Sequence, residues 1–172
     1  MHKLWRNIRD FPDYMVSNDG EIMNVQTGRI LRQSQNQSGT ATVGMMYEDP
    51  RTAKKEQHHR SVALIVASEW NVEKLMPSCD TPINLNGDRM DNRVENLMFR
   101  PRWFAVKYNR QFSHPFPYPI VTPVMDIDSG EISENSMEAA MRYGLLEEDV
   151  VLSIANRTVT WPTYQKFEMI PE

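Results

Sequence analysis

The chain has 172 residues, 40% hydrophobic and 24% charged, with 19 Lys and Arg against 23 Asp and Glu for a formal charge of −4. That composition describes an ordinary globular protein with no low-complexity tract, no apolar run long enough to span a bilayer and, in Met1-His2-Lys3-Leu4-Trp5, no signal-peptide hydrophobic region, so a cytoplasmic protein without a membrane partner is expected. A single cysteine, Cys79, excludes an internal disulfide and any cysteine zinc cluster, and it reads as a small semi-buried hydrophobe.

From the N-terminus, Trp5 to Ile22 reads as a small β unit with Trp5, Phe11 and Tyr14 as its core. Asn18-Asp19-Gly20 is a turn signal between the apolar runs Tyr14-Met15-Val16 and Ile22-Met23-Asn24-Val25, which predicts a hairpin. Thr27-Gly28 makes a second turn before Arg29-Ile30-Leu31. Residues 33–39 form a polar loop, and Thr40 to Tyr47 alternates like a strand. A polar tip containing Pro50 covers 48–55, and Glu56 to Arg60 returns as the paired strand. Val62 to Trp70 is almost wholly apolar and predicts a short helix with Ser61 as its N-cap.

Residues 83–97 read Ile83-Asn84-Leu85-Asn86-Gly87-Asp88-Arg89-Met90-Asp91-Asn92-Arg93-Val94-Glu95-Asn96-Leu97, and a helix is expected to start over Asn92 to Met98 with Asp91 as its N-cap. Arg100, Arg102, Lys107 and Arg110, interleaved with Phe99, Trp103, Phe104 and Tyr108, make the most basic aromatic stretch of the chain. It is read either as phosphate-contacting or as an amphipathic helix with solvated charges. Three alternating prolines in His114-Pro115-Phe116-Pro117-Tyr118-Pro119 favour an extended spacer, which predicts a linker over 113–119. Val121 to Ile132 then predicts a hairpin turning at Asp128-Ser129-Gly130, followed by a helix over Ser136 to Tyr143, a break at Gly144 and a second helix from Glu147 to Ala155. Residues 1–115 balance to +3 and residues 116–172 to −7, so the basic footprint expected of a nucleic-acid binder is weak and confined to the front of the chain.

With Gly87 and the run Asp91 to Leu97 as its anchors, the 83–97 stretch resembles the ββα-metal core of phage-type HNH homing endonucleases. In that family it usually reads Asn/Asp-His-x-Asp-Gly-Asn-x-x-Asn-Asn-x-x-x-Asn-Leu, the His acting as general base. Counting back from Gly87, the resemblance puts the general base at Asn84, one metal position at Ile83 and the other near Ala105. None of these side chains can abstract a proton, and only Asn84 could weakly ligate a cation. Gly87, Asn92 and Asn96 match structural positions, Asn96 being the residue that holds the metal hairpin in shape. His58-His59-Arg60-Ser61-Val62-Ala63 is similar to the family's Val-His-Arg-Leu-Val-Ala, which gives His59 the place of a histidine packed against the core. The N-terminal Trp, Ile, Tyr and Val-Ser-Asn-x-Gly pattern resembles the module that precedes such cores, and the C-terminal helix pair resembles their helix-turn-helix-like tail. An α+β fold is implied, with an N-terminal β module over 1–33, an HNH-like ββα-metal core over 40–112, the Pro-rich linker over 113–119, and an acidic β-hairpin plus helix-turn-helix-like module over 120–172.

Phosphodiester hydrolysis by this motif needs a base to activate water and a divalent cation to neutralise charge, and an amide cannot replace imidazole as the base. The resemblance therefore implies a DNA-associated, phage-encoded protein with a degraded nuclease centre, no cleavage and no cofactor. Double-stranded DNA would be met by Arg89, Arg93, Arg100, Arg102, Lys107, Arg110, Asn156 and Arg157. Two other readings stay open. One is an interaction or regulatory protein on a nuclease scaffold, which meets a protein partner through its acidic C-terminal module. The other is an active endonuclease using magnesium or another divalent cation, in which Asp80, Asp88 or Asp91 supplies the acid and His58 or His59 the base. Asp80 lies seven residues before Gly87, so it would need an extended hairpin.

Overall fold

Short alternating segments and well-placed turn residues build the first of two units into which the chain divides, Met1–Asn84 with Asp88–Arg100; the second is Leu85–Gly87 with Pro101–Glu172. The structure is a computed structural model that describes residues 3–49 and 51–170, so the expected tip residue Pro50 lies outside the described residues.

In the first unit β1 (Trp5–Ile8), β2 (Phe11–Ser17) and β3 (Ile22–Asn24) form an antiparallel sheet in chain order. The turn between β2 and β3 is the expected one, and Gly20 adopts φ 84° there, a conformation that favours glycine. β4 (Ser34–Gln35), β5 (Ala41–Glu48) and β6 (Lys55–Ser61) form a second antiparallel sheet. The loop expected at 33–39 supplies β4, because Asn36 Oδ1 accepts from the backbone N–H of Ser38 and of Thr40 at 3.0 and 2.9 Å and folds the chain back onto β5. α1 (Val62–Glu69) starts at Ser61, whose Oγ accepts from Leu64 N–H at 3.4 Å. It buries Val62, Ala63, Ile65, Val66 and Ala67. β7 (Thr81–Asn84) pairs antiparallel with β8 (Leu97–Arg100).

One core joins these pieces, running from Ile8, Phe11 and Tyr14 through Val43, Met45 and Val66 to Leu97 and Phe99, with Cys79 fully buried in it. Tyr14 Oη accepts from Met46 N–H at 3.0 Å. The Asn18–Gly20 turn is tied to the 83–97 stretch as well. Val94 N–H donates to Asn18 O at 2.9 Å, and a Cβ on Gly20 would stand 3.0 Å from Asn92 O.

The helix expected over Asn92–Met98 is instead a single 3-10 turn, Val94–Asn96, followed by strand β8. Pro101 explains the difference. The residue before a proline is pushed out of the helical region, whereas proline itself suits the start of a helix. Arg100 therefore stays extended and α2 (Arg102–Gln111) begins immediately after the proline.

The second unit contains α2, β9 (Val124–Asp126), β10 (Ile132–Ser133), α3 (Ser136–Tyr143), α4 (Glu147–Asn156) and β11 (Phe167–Met169). The sheet order is β10-β9-β11. Asn135 Oδ1 caps α3 by accepting from Glu138 N–H at 2.8 Å, and Gly144 ends it at φ 61°. Val124, Ala139, Ala140, Leu145, Val150 and Phe167 form the core. Gln111 at the end of α2 donates to Leu145 O at 3.3 Å and accepts from Glu147 N–H at 2.9 Å. These bonds place α2 with the C-terminal segment. The prolines of 113–119 thus connect elements inside one unit, and the division falls between Arg100 and Pro101. Among the described residues no helix is long and apolar enough to cross a membrane.

Candidate functional site

Three amides shape the hairpin loop between β7 and β8. Asn84, at the end of β7 and 5% exposed, donates through Nδ2 to Asp91 O at 2.8 Å and to Asn92 Oδ1 at 3.1 Å. Asn96 Nδ2 donates to the same Asp91 O at 2.7 Å. Asn92 Nδ2 reaches back to Met90 O at 3.3 Å and, more weakly, to Arg89 O at 3.5 Å. In the second unit the loop residues Leu85–Gly87 rest on α2. Tyr108 Oη donates to Leu85 O at 2.7 Å, and the Phe112 ring lies so close to Gly87, at φ 76°, that a Cβ there would meet it at 2.5 Å.

The residues at the nuclease positions do not fit a metal ion. Ile83 is an aliphatic side chain, fully buried beside Asn84, and both Nδ2 hydrogens of Asn84 are taken up inside the loop. Ala105, on the buried face of α2, has no donor atom. The substitutes fare no better. Asp91 is held by Arg93 through two 2.8 Å bonds, Asp88 Oδ1 accepts from Met90 N–H at 2.9 Å, and exposed Asp80 accepts from Thr81 Oγ1 at 2.9 Å. His59 is exposed on β6 opposite Gly44, so the packing expected of it belongs to its neighbour. Strand alternation turns His58 inward against Tyr47 and Phe11, with ring centroids 5.7 and 6.1 Å apart. Among the described residues no group of three or more His, Cys, Asp or Glu side chains could hold a metal ion.

The eight residues expected to face DNA separate into three kinds. Arg100 is 0% exposed and donates to Phe99 O at 3.0 Å, so it cannot reach a phosphate; β8 pairing and Pro101 turn it inward. Arg89 and Arg93 are engaged locally. Arg89 donates to Ser38 O and Thr40 Oγ1, and burial lowers its pKa, while the hydrogen bond to Asp91 raises that of Arg93. Arg102, Lys107 and Arg110 are exposed on α2, and Asn156 and Arg157 are exposed at the end of α4. The sequence reading missed that Trp103, exposed on the same helix, is backed by Trp161; helical spacing reveals the exposed face, but the pairing is between distant residues and leaves no local signal.

The three carboxylates at the start of α4 do not all face solvent. Glu147 is buried and accepts from Ser136 Oγ at 2.8 Å. Burial, and secondarily Glu148, pushes the Asp149 carboxyl up, against an opposing pull from Lys107. A raised folded-state pKa means that this group favours the fold only when protonated. Its contribution is complete below the ordinary aspartate value of about 3.9 and is lost as pH rises through the higher folded value. Asp149→Asn is therefore expected to raise the melting temperature at neutral pH and to lose that advantage in acid, as calorimetry across pH would show.

Comparison with known proteins agrees with this architecture. The NUMOD4 motif family matches residues 4–45, the β1–β5 region. An uncharacterized HNH endonuclease of Acanthamoeba polyphaga mimivirus is 36% identical over 112 residues, which covers 63% of this chain; the chain spans about a quarter of that relative's length, 25%. The solved structure of the HNH homing endonuclease I-HmuI, described for DNA binding and cleavage, matches in fold with a TM-score of 0.51 at 18% identity, covering 98% of this chain and 99% of that one. The NUMOD4 match, the viral relative and the shared fold are all similarities to the HNH homing endonuclease family.

Proposed function

We propose that this chain is a DNA-associated member of that family with a degraded nuclease centre, which binds duplex DNA without cutting it. The observation that carries the reading is Asn84. At the general-base position stands an amide whose two hydrogens hold the loop together, next to a buried isoleucine where a metal ligand would be needed. With neither a base nor a metal ligand at these positions, both contributions that phosphodiester hydrolysis needs are lacking there. Binding is supported by the fold shared with I-HmuI and by the exposed cations of α2.

The test is plasmid relaxation with magnesium or manganese, beside gel shifts over a salt series. Supercoiled plasmid is expected to stay supercoiled while duplex binding weakens as salt rises. Replacing Arg102, Lys107 and Arg110 together by Gln should flatten the log–log salt slope by about 0.9 for each phosphate that is no longer neutralised. Nicking by the wild type that His59→Ala or Asp80→Ala abolishes would overturn the reading in favour of shifted ligands.

A further inference from the structure

We propose that the exposed face of α2 is a stacking platform for an unpaired nucleobase, with Trp103 as its surface; the inference deepens the DNA-associated reading above and rests on it. At 3.6 residues per turn, Arg102, Val106, Arg110, Trp103 and Lys107 fall in that order across one stripe roughly 140° wide. All five are exposed, Trp103 by 55% and Val106 by 63%, while Phe104, Ala105, Tyr108 and Gln111 take the buried side.

Trp103 is held as well as displayed. The Trp161 ring lies 5.1 Å away at 30° and the buried Phe104 ring 5.7 Å away at 76°, so aromatic contacts from behind fix the indole while half of it faces water. Lys107 Nζ stands 5.6 Å from its centroid. An indole fixed in advance loses little conformational entropy when a base stacks on it, and stacking accepts any base because every base has a π-face. A polyanion is the partner that the charge selects, since residues 101–115 contain three Lys and Arg and no Asp or Glu.

On the indole itself an unpaired strand, including one freed within a bound duplex, fits better than paired bases for two reasons. A paired base already has both faces stacked, so the indole can meet only one that is freed. The acidic start of α4 also bounds the Lys107 edge of the stripe: Glu148 lines a cavity of about 520 Å³ together with Lys107 and Arg110, and Asp149 senses Lys107. Carboxylates on that edge repel a second line of phosphates and leave the path of a single backbone along Arg102, Arg110 and Trp103.

The experiment titrates the full chain with a short oligothymidylate and with an abasic phosphodiester of equal length, following tryptophan fluorescence and anisotropy. Oligothymidylate is expected to quench fluorescence and the abasic chain not to. Trp103→Leu, which keeps an apolar residue against Trp161, should remove the quenching and weaken thymidylate binding roughly five- to a hundredfold with an unaltered salt dependence. Trp103→Phe should restore part of the affinity, and Arg102→Gln should flatten the salt dependence. Equal binding of the two oligomers, or unchanged affinity in a Trp103→Leu variant that melts like wild type, would overturn the platform. If duplex DNA still binds with a salt-dependent affinity in that case, only the platform falls. If neither single-stranded nor duplex DNA binds, the DNA-associated reading falls with it.

Discussion

Gly87→Ala is expected to destabilise the protein by about 3 kcal/mol, read as a lower urea midpoint at an unchanged slope. Two independent costs add. The backbone at Gly87 has φ 76°, where a side-chain-bearing residue loses about 1–2 kcal/mol. The new Cβ would also stand 2.5 Å from the Cγ and Cδ1 of Phe112, and forcing extra volume into a packed site costs about 1–3 kcal/mol. Phe112 has little room to retreat. Tyr108 packs edge-on to it with centroids 5.4 Å apart, and is itself fixed by its hydrogen bond to Leu85 O. The two costs can be separated. Phe112→Ala in the same chain should relieve the steric part and leave the backbone part, a coupling of roughly 1–2 kcal/mol in the double-mutant cycle. A near-wild-type melt for Gly87→Ala, or the absence of coupling, would show that Leu85–Gly87 are not seated on α2.

What could be read without coordinates was local. Gly20, Gly28, Gly130 and Gly144 mark turns and a helix end, all four adopting positive φ, and Ser61 and the α3-Gly144-α4 succession follow from capping and breaking rules. Gly87 and Asn96 fall in and beside the β7–β8 loop, where Asn96 Nδ2 donates to Asp91 O. The misreadings came from partners distant in sequence or from competing signals. Asp91 looks like a helix cap, yet its carboxylate is taken by Arg93 and Pro101 postpones the helix. Arg89 and Arg100 look like part of a basic footprint, but residues 38–40 and the interior consume them, and Arg93, although exposed, is paired with Asp91. A charged letter gives the charge and not its partner. The footprint that survives is therefore shorter than the sequence suggests, and among the eight expected residues the exposed ones are Arg93, those of α2 and those at the end of α4.

Asn84 is the other informative residue to change. Asn84→Asp is expected to cost about 3–4 kcal/mol at neutral pH, more than the roughly 2 kcal/mol of Asn84→Ala, although the aspartate is nearly isosteric. The amide donates to Asp91 O and Asn92 Oδ1, both acceptors, from a position only 5% exposed. A carboxylate would set oxygen against oxygen there and leave its charge buried, whereas alanine only leaves Asn92 Oδ1 without this donor; Asp91 O keeps Asn96. The pH dependence has a definite sign. Burial among acceptors raises the folded-state pKa of the introduced acid, so the variant is least impaired below about pH 4, where the group is protonated in both states. Its deficit then grows as pH rises toward the folded value, while Asn84→Ala shows no such trend. A deficit independent of pH would mean that the loop opens to admit water around the new carboxylate. If that opened variant also nicked plasmid in magnesium where the wild type did not, the position would still be a competent catalytic place, and the proposed lack of cleavage would trace to this one amide rather than to a loop rebuilt around it.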